Sequence, residues 1–191
     1  GASNWGVTGT TTLYNVGNEG SVTTGGVNAG GLLGGNHDSC SVRGGQRAGG
    51  LIGHTTGDFT TNITNVGTMC NVSSYGTGNF AAAGIIGNAN NGNVTNITRC
   101  FSTGRIEAFG DAACISAWEG DVGAKVTDCW TTSVIADRRD YSFCRGKAST
   151  VISGCYCAND YKDNLPANVT GTISADMIGT GQLCFVVNGS Q

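Results

Sequence analysis

Asp111 and Asp140 lie 29 residues apart, with Arg138 and Arg139 beside the second of them and Glu107 and Asp137 close by in sequence. In a chain that repeats at about that interval they fall at matching places in adjacent copies. Paired carboxylates near cations suit general acid and base work on a polysaccharide. The same residues suit a solvated salt-bridge cluster on surface loops, and that is the expectation here. His37-Asp38 and His54 have no serine or thiol motif around them, so no nucleophilic triad is read. No catalytic residue, metal site or cofactor is assigned.

Nine cysteines are present: Cys40, Cys70, Cys100, Cys114, Cys129, Cys144, Cys155, Cys157 and Cys184. The one close pair is Cys155-x-Cys157, and both histidines are far from it, so zinc spacing is absent. Disulfides are then the expected use, which implies an oxidising, extracellular compartment. The alternative is a reduced ladder of buried thiols, because unpaired cysteine packs as a small hydrophobe. Nine is odd, so at least one thiol has no partner within the chain. Six sites fit Asn-x-Ser/Thr and are candidate glycosylation sites: Asn62, Asn71, Asn93, Asn96, Asn168 and Asn188. No signal peptide leads the chain, and Gly1 onward reads as a mature protein or an excised fragment.

Trp5, Trp118 and Trp130, with Tyr14, Tyr75, Tyr141, Tyr156 and Tyr161, are candidates for stacking on sugar rings. Scattered aromatics are more often core or cap residues. An ice-binding face needs a regular Thr-x-Thr ladder, and Thr10, Thr11 and Thr12 show no echo at the same position of later repeats.

The 191 residues include 33 glycines, one proline, 18 asparagines and 37 serines and threonines, with 12% charged residues and a net charge of −3. Only ten lysines and arginines are present. That leaves no electrostatic footprint for nucleic acid or an anionic membrane. The longest apolar runs fall far short of the ~20 residues that span a bilayer. Abundant glycine, threonine and valine disfavour helix.

Similarity within the chain says what would position these groups. Ala29-Gly-Gly-Leu-Leu-Gly34, Ala48-Gly-Gly-Leu-Ile-Gly53, Ala82-Ala-Gly-Ile-Ile-Gly87 and Ala112-Ala-Cys-Ile-Ser-Ala117 are one phrase, and Tyr141-Ser-Phe-Cys144 is a degenerate fifth. A second phrase ends at Cys70, Cys100, Cys129 and Cys155, at intervals of 30, 29 and 26 residues, with Cys40 in a shortened copy. Short β-prone stretches of this kind cannot bury their own apolar faces, but stacked copies can. The expected fold is all-β: a parallel β-solenoid of five or six coils over residues 1–157, right-handed by the usual chirality of crossovers. Residues 158–191 form a cap or subunit-joining segment, with a short helix over Asp176 to Leu183 and a strand over Leu183 to Val187.

Leu32, Leu33, Ile52, Ile85, Ile86 and Ile115 are expected in interior columns, and Val16, Val66, Ile97 and Val126 in a second one. Rungs about 4.8 Å apart bring equivalent cysteines within disulfide reach, so Cys40–Cys70, Cys100–Cys129 and Cys114–Cys144 are candidate staples. In-register Cβ vectors point the same way, which would strain them.

Gly31-Leu-Leu-Gly34, Gly50-Leu-Ile-Gly53, Gly84-Ile-Ile-Gly87 and the Cys100 to Gly104 phrase resemble the GLUG repeat, over roughly residues 8 to 157. The fourth copy departs at Cys114 and Ala117. The resemblance implies a β-solenoid in large bacterial and protist surface proteins, adhesins among them, and it names no catalytic residue. Ser174 to Gln191 more loosely resembles a closing segment of such proteins. The expected function is a non-enzymatic, extracellular, structural or adhesive protein, secreted or at the cell surface. It would self-associate as a filament or oligomer, or meet host or neighbouring surface glycans, without nucleic acid or membrane insertion. The alternatives are a carbohydrate-binding module and a polysaccharide-active enzyme.

Overall fold

A computed structural model describes residues 9–14, 22–23, 28–30, 41–76, 80–90, 92–118, 122–136, 140–141, 143–145, 149–158 and 171–173. Among them every regular element is a strand, and all strand pairs are parallel. The chain is a β-solenoid, as the repeat demands.

The strands stack as parallel rungs on five faces. The first face stacks Gly9–Tyr14, Phe59–Thr64, Val94–Thr98, Ala124–Thr127 and Val151–Ser153. The second stacks Gly67–Met69, Phe101–Thr103, Trp130–Thr131, Tyr156–Ala158 and Gly171–Ile173. The third holds Val22–Thr23, Ser41–Gly44, Asn71–Ser74, Arg105–Ala108 and Val134–Ile135. The fourth holds Asn28–Gly30, Arg47–Gly49, Ala81–Ala83, Asp111–Ala113 and Asp140–Tyr141. The fifth pairs Ile52–Thr56 with Ile86–Asn90 and continues through bridges at Ser116 and Cys144.

Among the described residues three turns, 59–90, 94–116 and 124–144, visit all five faces, so the complete coils described number three rather than five or six. The difference arises at the ends. Gly9–Tyr14 pairs directly with Phe59–Thr64, although the chain lays two rungs on the third and fourth faces in between. At the other end Gly171–Ile173 adds a rung beyond residue 157 to the second face. The helix and strand expected after Asp176 lie outside the described residues.

The Gly-hydrophobic-hydrophobic-Gly phrase is the corner between the fourth and fifth faces. Ala48, Ala82 and Ala112 are in register, and Tyr141 follows Gly49, Ala83 and Ala113 in theirs. Leu51, Ile85, Ile115 and Phe143 fill the core behind this corner, and Ile86 pairs with Ile52 one position on. Backbone bonds such as Ile85 N–H to Ile115 O (3.2 Å) and Ile115 N–H to Phe143 O (2.9 Å) carry the ladder around it. Leu32 and Leu33 lie outside the described residues.

A second corner, between the first and second faces, turns on left-handed residues: Asn65 (φ 56°), Arg99 (φ 51°), Asp128 (φ 53°) and Gly154 (φ 59°). Asn, Asp and Gly suit this conformation, whereas Arg99 adopts it at a steric cost of roughly 1–2 kcal/mol. The Arg99 Nε–H donates to Asn65 Oδ1 at 2.8 Å, one rung away. This corner sets the register of the interior. Ile63, Ile97, Val126 and Ile152 form one buried column. Val66 is not in that column: it precedes Gly67 as Cys100 precedes Phe101 and Cys129 precedes Trp130, and so stands with the cysteines. Val16 lies outside the described residues.

Two large core compartments result, beside a small cluster of Ala81, Ala83, Ala113 and Ala117 under Trp118. One lies behind the first, second and fifth faces and includes the isoleucine and cysteine columns. The other packs Val42, Val72 and Ile106 of the third face against Ala48, Ala82 and Ala112 of the fourth. Thr68, Ser102 and Thr131 face inward from the second face, fully buried. Thr68 donates to Gly84 O at 2.7 Å and Ser102 to Cys114 O at 2.6 Å, tying that wall to the glycine corner. The burial of these three hydroxyls is tolerated because each is hydrogen-bonded. No helix among the described residues is long and apolar enough to cross a membrane.

Candidate functional site

The solenoid's register offsets Asp111 and Asp140, which spacing had matched, by one residue along their strands. Asp140 pairs with Ala112, while Asp111 stands one residue earlier beside Ala81. A one-residue offset exchanges the faces of a strand. Asp111 is 6% exposed, and its Oδ2 meets Arg145 Nε at 3.6 Å. The Arg145 guanidinium lies 3.6 Å from the centre of the Trp118 ring, a cation–π contact. Glu107 is on the third face, exposed, with Arg105 Nε 3.8 Å away. Asp137, Arg138 and Arg139 lie outside the described residues. Asp111 therefore holds a ring-stacked arginine in place. Asp111→Asn should cost about 1–3 kcal/mol of stability, the range for weakening a buried bond to a charged group. Urea unfolding followed by Trp118 fluorescence checks this.

His54 Nδ1 and Asn88 Oδ1, on adjacent rungs of the fifth face, are 3.0 Å apart. Burial, and then the Arg47 charge, push the His54 pKa below the ordinary 6.5, against the bonds to Asn88. Below that value the unfolded chain takes up the proton more readily than the folded one. Folding stability should accordingly fall as pH drops below about 6.5, and His54→Gln should flatten that slope. Chemical denaturation at a series of pH values reads both. His37 and Asp38 lie outside the described residues.

No disulfide joins two of the described cysteines, and all seven of these are buried. Two of the expected staples fail for different reasons, while the third, Cys40–Cys70, rests on Cys40, which lies outside the described residues. Cys114 is not opposite Cys144, which bridges Ser116 two residues further on. Cys70 follows Met69, whose partner is Thr103, so it belongs to the third-face compartment and not to the Cys100 column. Cys100 and Cys129 do stand in register, with Cys155 next, but each thiol turns to backbone. Cys100 donates to Thr98 O (3.3 Å) and Ile63 O (3.6 Å), and Cys129 to Thr127 O (3.2 Å) and Ile97 O (3.7 Å). Cys155 does the same with Ser153 O (3.3 Å) and Val126 O (3.6 Å). Parallel Cβ vectors favour this repeat of one geometry. Burial holds the Cys129 thiol well above its usual range and pushes Cys157 up to about 11. Such thiols are protonated and poorly nucleophilic. Cys40 and Cys184 lie outside the described residues. Among the described residues no three His, Cys, Asp or Glu side chains group as metal ligands.

The sequons differ in access. Asn71 is exposed, and Asn62 and Asn96 share a 2.8 Å amide bond on the outside of the first face. Asn93 is 3% exposed, and its Oδ1 accepts from Thr95 (2.8 Å), Thr55 (3.2 Å) and Thr61 (3.3 Å). That side chain pins two faces together and leaves no room for a glycan. Asn168 and Asn188 lie outside the described residues.

Thr10 and Thr11 do have echoes, opposite Thr60 and Thr61. A flat threonine array is nevertheless broken, because Val94 follows Thr60, and Lys125 follows Asn62 and Asn96. On the second face Phe101 and Trp130 stack at 4.6 Å with planes 7° apart, and Tyr156 is the next rung. Phe101 also lies over Gly67, whose missing Cβ leaves space for the ring. Ring faces that meet one another are closed to sugars, so this ladder is structural. Trp5 and Tyr161 lie outside the described residues, and Tyr14 and Tyr141 are placed as strand positions only.

One surface cleft stands apart. On the third face Arg43, Ser73 and Glu107 follow one another in register on three rungs. One residue past each strand's last pair, Tyr75 and Phe109 occupy equivalent corners of neighbouring turns. They are 37% and 68% exposed. Together with Ser74 and Ala108 these five residues border a space of about 360 Å³. The Arg43 guanidinium lies 4.7 Å from the centre of the Tyr75 ring. Each aromatic precedes a glycine, Gly76 or Gly110, where a Cβ would collide with Gly45 O or Phe80 O as the chain turns to the fourth face. The repeated signal was Ser73-Ser-Tyr-Gly76 and Glu107-Ala-Phe-Gly110, which sequence reasoning passed over.

A scan of protein-family models finds no match, and neither curated proteins nor solved structures contain a detectable relative of this chain.

Proposed function

We propose that this chain is a non-enzymatic structural and adhesive rod of an extracellular surface. The observation that carries the reading is how its chemistry-bearing side chains are used. Asp111 is tied to Arg145, His54 to Asn88, and the described thiols lie inside, so the groups suited to catalysis instead hold rungs together. The resemblance to GLUG repeats points the same way. Asn71, exposed in a sequon, supports an extracellular setting. Burial shields the described thiols in an oxidising medium, so the unstapled Cys100–Cys129 column does not weaken it.

Self-association fits the strand edges. Among the described residues Gly67–Met69 and Ile52–Thr56 pair on one side only, and such edges are templates for another strand.

The test combines two measurements on the full chain. It is coated on beads and passed over cell-surface glycan layers, and it is incubated with neutral and acidic polysaccharides while new reducing ends are assayed. Retention without new ends is expected. New reducing ends that vanish in Asp111→Asn would overturn the reading, as would failure to be retained on any layer.

A further inference from the structure

We propose that the cleft between Arg43, Ser73, Glu107, Tyr75 and Phe109 is a binding site for a neutral saccharide. The inference rests on the adhesive reading and names the contact it would use.

The floor is Ser73, the shortest of the three outward side chains on successive rungs of the third face. Arg43 and Glu107 stand at the two ends, about 10 Å apart along the backbone at two rung spacings. Along one side runs the corner ridge of Tyr75 and Phe109, and the open cleft of about 360 Å³ is in the range of small-ligand sites.

The chemistry selects the ligand class. Arg43 donates hydrogen bonds, Glu107 accepts them, and Ser73 does both. A sugar carries adjacent hydroxyls that are themselves donors and acceptors, so it can satisfy all three at once. Arg43 stands at one end and the Arg105–Glu107 pair at the other, so hydrogen bonding rather than one strong charge selects the ligand. Among the described residues Phe109, at 68% exposed, is the most exposed large hydrophobic side chain, and Tyr75 stands beside it at 37%. An exposed aromatic pair at one corner offers apolar surface to the C–H face of a pyranose, which water solvates poorly. Arg43 covers Tyr75 from the previous turn, where Gly45 supplies no side chain to intervene, so the ridge is held before any ligand arrives.

The experiment is a nuclear magnetic resonance titration of the full chain. The probes are methyl glucoside, methyl galactoside, methyl mannoside and N-acetylglucosamine, with glucuronate and a sulfated disaccharide as acidic counterparts. A neutral sugar should shift the Ser73, Tyr75 and Phe109 signals. Phe109→Ala should weaken that binding about tenfold, and Ser73→Trp should abolish it by filling the floor. Phe109 is exposed, so its truncation should leave the thermal midpoint unchanged. The proposal is overturned if no neutral sugar shifts these signals, if only acidic sugars do, or if Phe109→Ala binds as the parent does. Retention of Phe109→Ala on glycan layers at the parent's level would sink this site while leaving the adhesive reading standing.

Discussion

Gly84→Ala should destabilise the solenoid by about 3 kcal/mol, the upper end for forcing atoms into a filled interior. Gly84 sits at the glycine corner, and a Cβ there would press on Cys114 O and on the Ser102 side chain. The carbonyl cannot retreat. It accepts from Gly84 N–H (3.1 Å) and from Ser102 Oγ (2.6 Å), and rung spacing is set by the same ladder. Relief would have to come from moving the second face outward, which loosens the 2.9 Å contact of Ser102 with Thr131. Gly50 repeats the arrangement one turn earlier, against Gly84 O and the Thr68 Cβ. Cys114, at the same place one turn later, shows what the fold does with a side chain there: its Sγ reaches towards Ser133 O at 3.8 Å. Cys114→Ala should therefore cost less than Gly84→Ala, about 1 kcal/mol, since a weak thiol contact to Ser133 O and a small apolar contact are lost. Urea midpoints for the two variants decide the matter. Equal midpoints would show that the corner does not depend on the close approach of the second face. The double variant Gly84→Ala with Ser102→Gly should recover only part of the loss, because the Cys114 carbonyl remains.

That corner is also why so much of the fold was legible. The phrase encodes a tight bend and a pair of core aliphatics in one short stretch, so aligning the phrases aligned the rungs. Even the degenerate copy Tyr141-Ser-Phe-Cys144 fell in register. Cysteine spacing misled for a physical reason. The turns are near 30 residues long, so any two recurring residues come out near that interval whether or not they are equivalent. Cys70 and Val66 are both small and buried, and only the left-handed corner at Asn65 shows which of them stacks on Cys100. A positive φ at Arg99 or Asp128 leaves no mark in composition.

The candidate site was less legible because a solenoid builds its surface across turns. Arg43, Ser73 and Glu107 are 30 and 34 residues apart and share no residue type. Their meeting depends on the register of three strands, which the outward residues do not themselves specify. The Asp111 and Asp140 pairing failed by a single residue for the same reason: a repeat of about 29 residues fixes which turn a group belongs to, but not on which side of the strand it points.

Ile97→Ala should cost about 4 kcal/mol, within the span for a buried isoleucine cut to alanine. Ile97 is fully buried, with Ile63 on the turn before it and Val126 on the turn after. In a globular core the neighbours of such a void can lean into it. Here the rungs cannot close up, because their separation is held by parallel backbone bonds along the first face and by Cys129 Sγ on Ile97 O. The cavity stays open, and an open cavity adds its own cost to the lost transfer energy. Position along the column sets the size of the effect. Ile152→Ala, 7% exposed and near the end of the column, should lose about half as much, because the last rungs bury less on one side. Val151→Ala, on the outside of the same strand and 53% exposed, should change stability by less than about 0.5 kcal/mol. Since each turn contacts only its neighbours, a void in the middle should also uncouple the two ends, and the denaturant slope should fall along with the midpoint. A midpoint shift with an unchanged slope would mean that the turns unfold as one body despite the broken column.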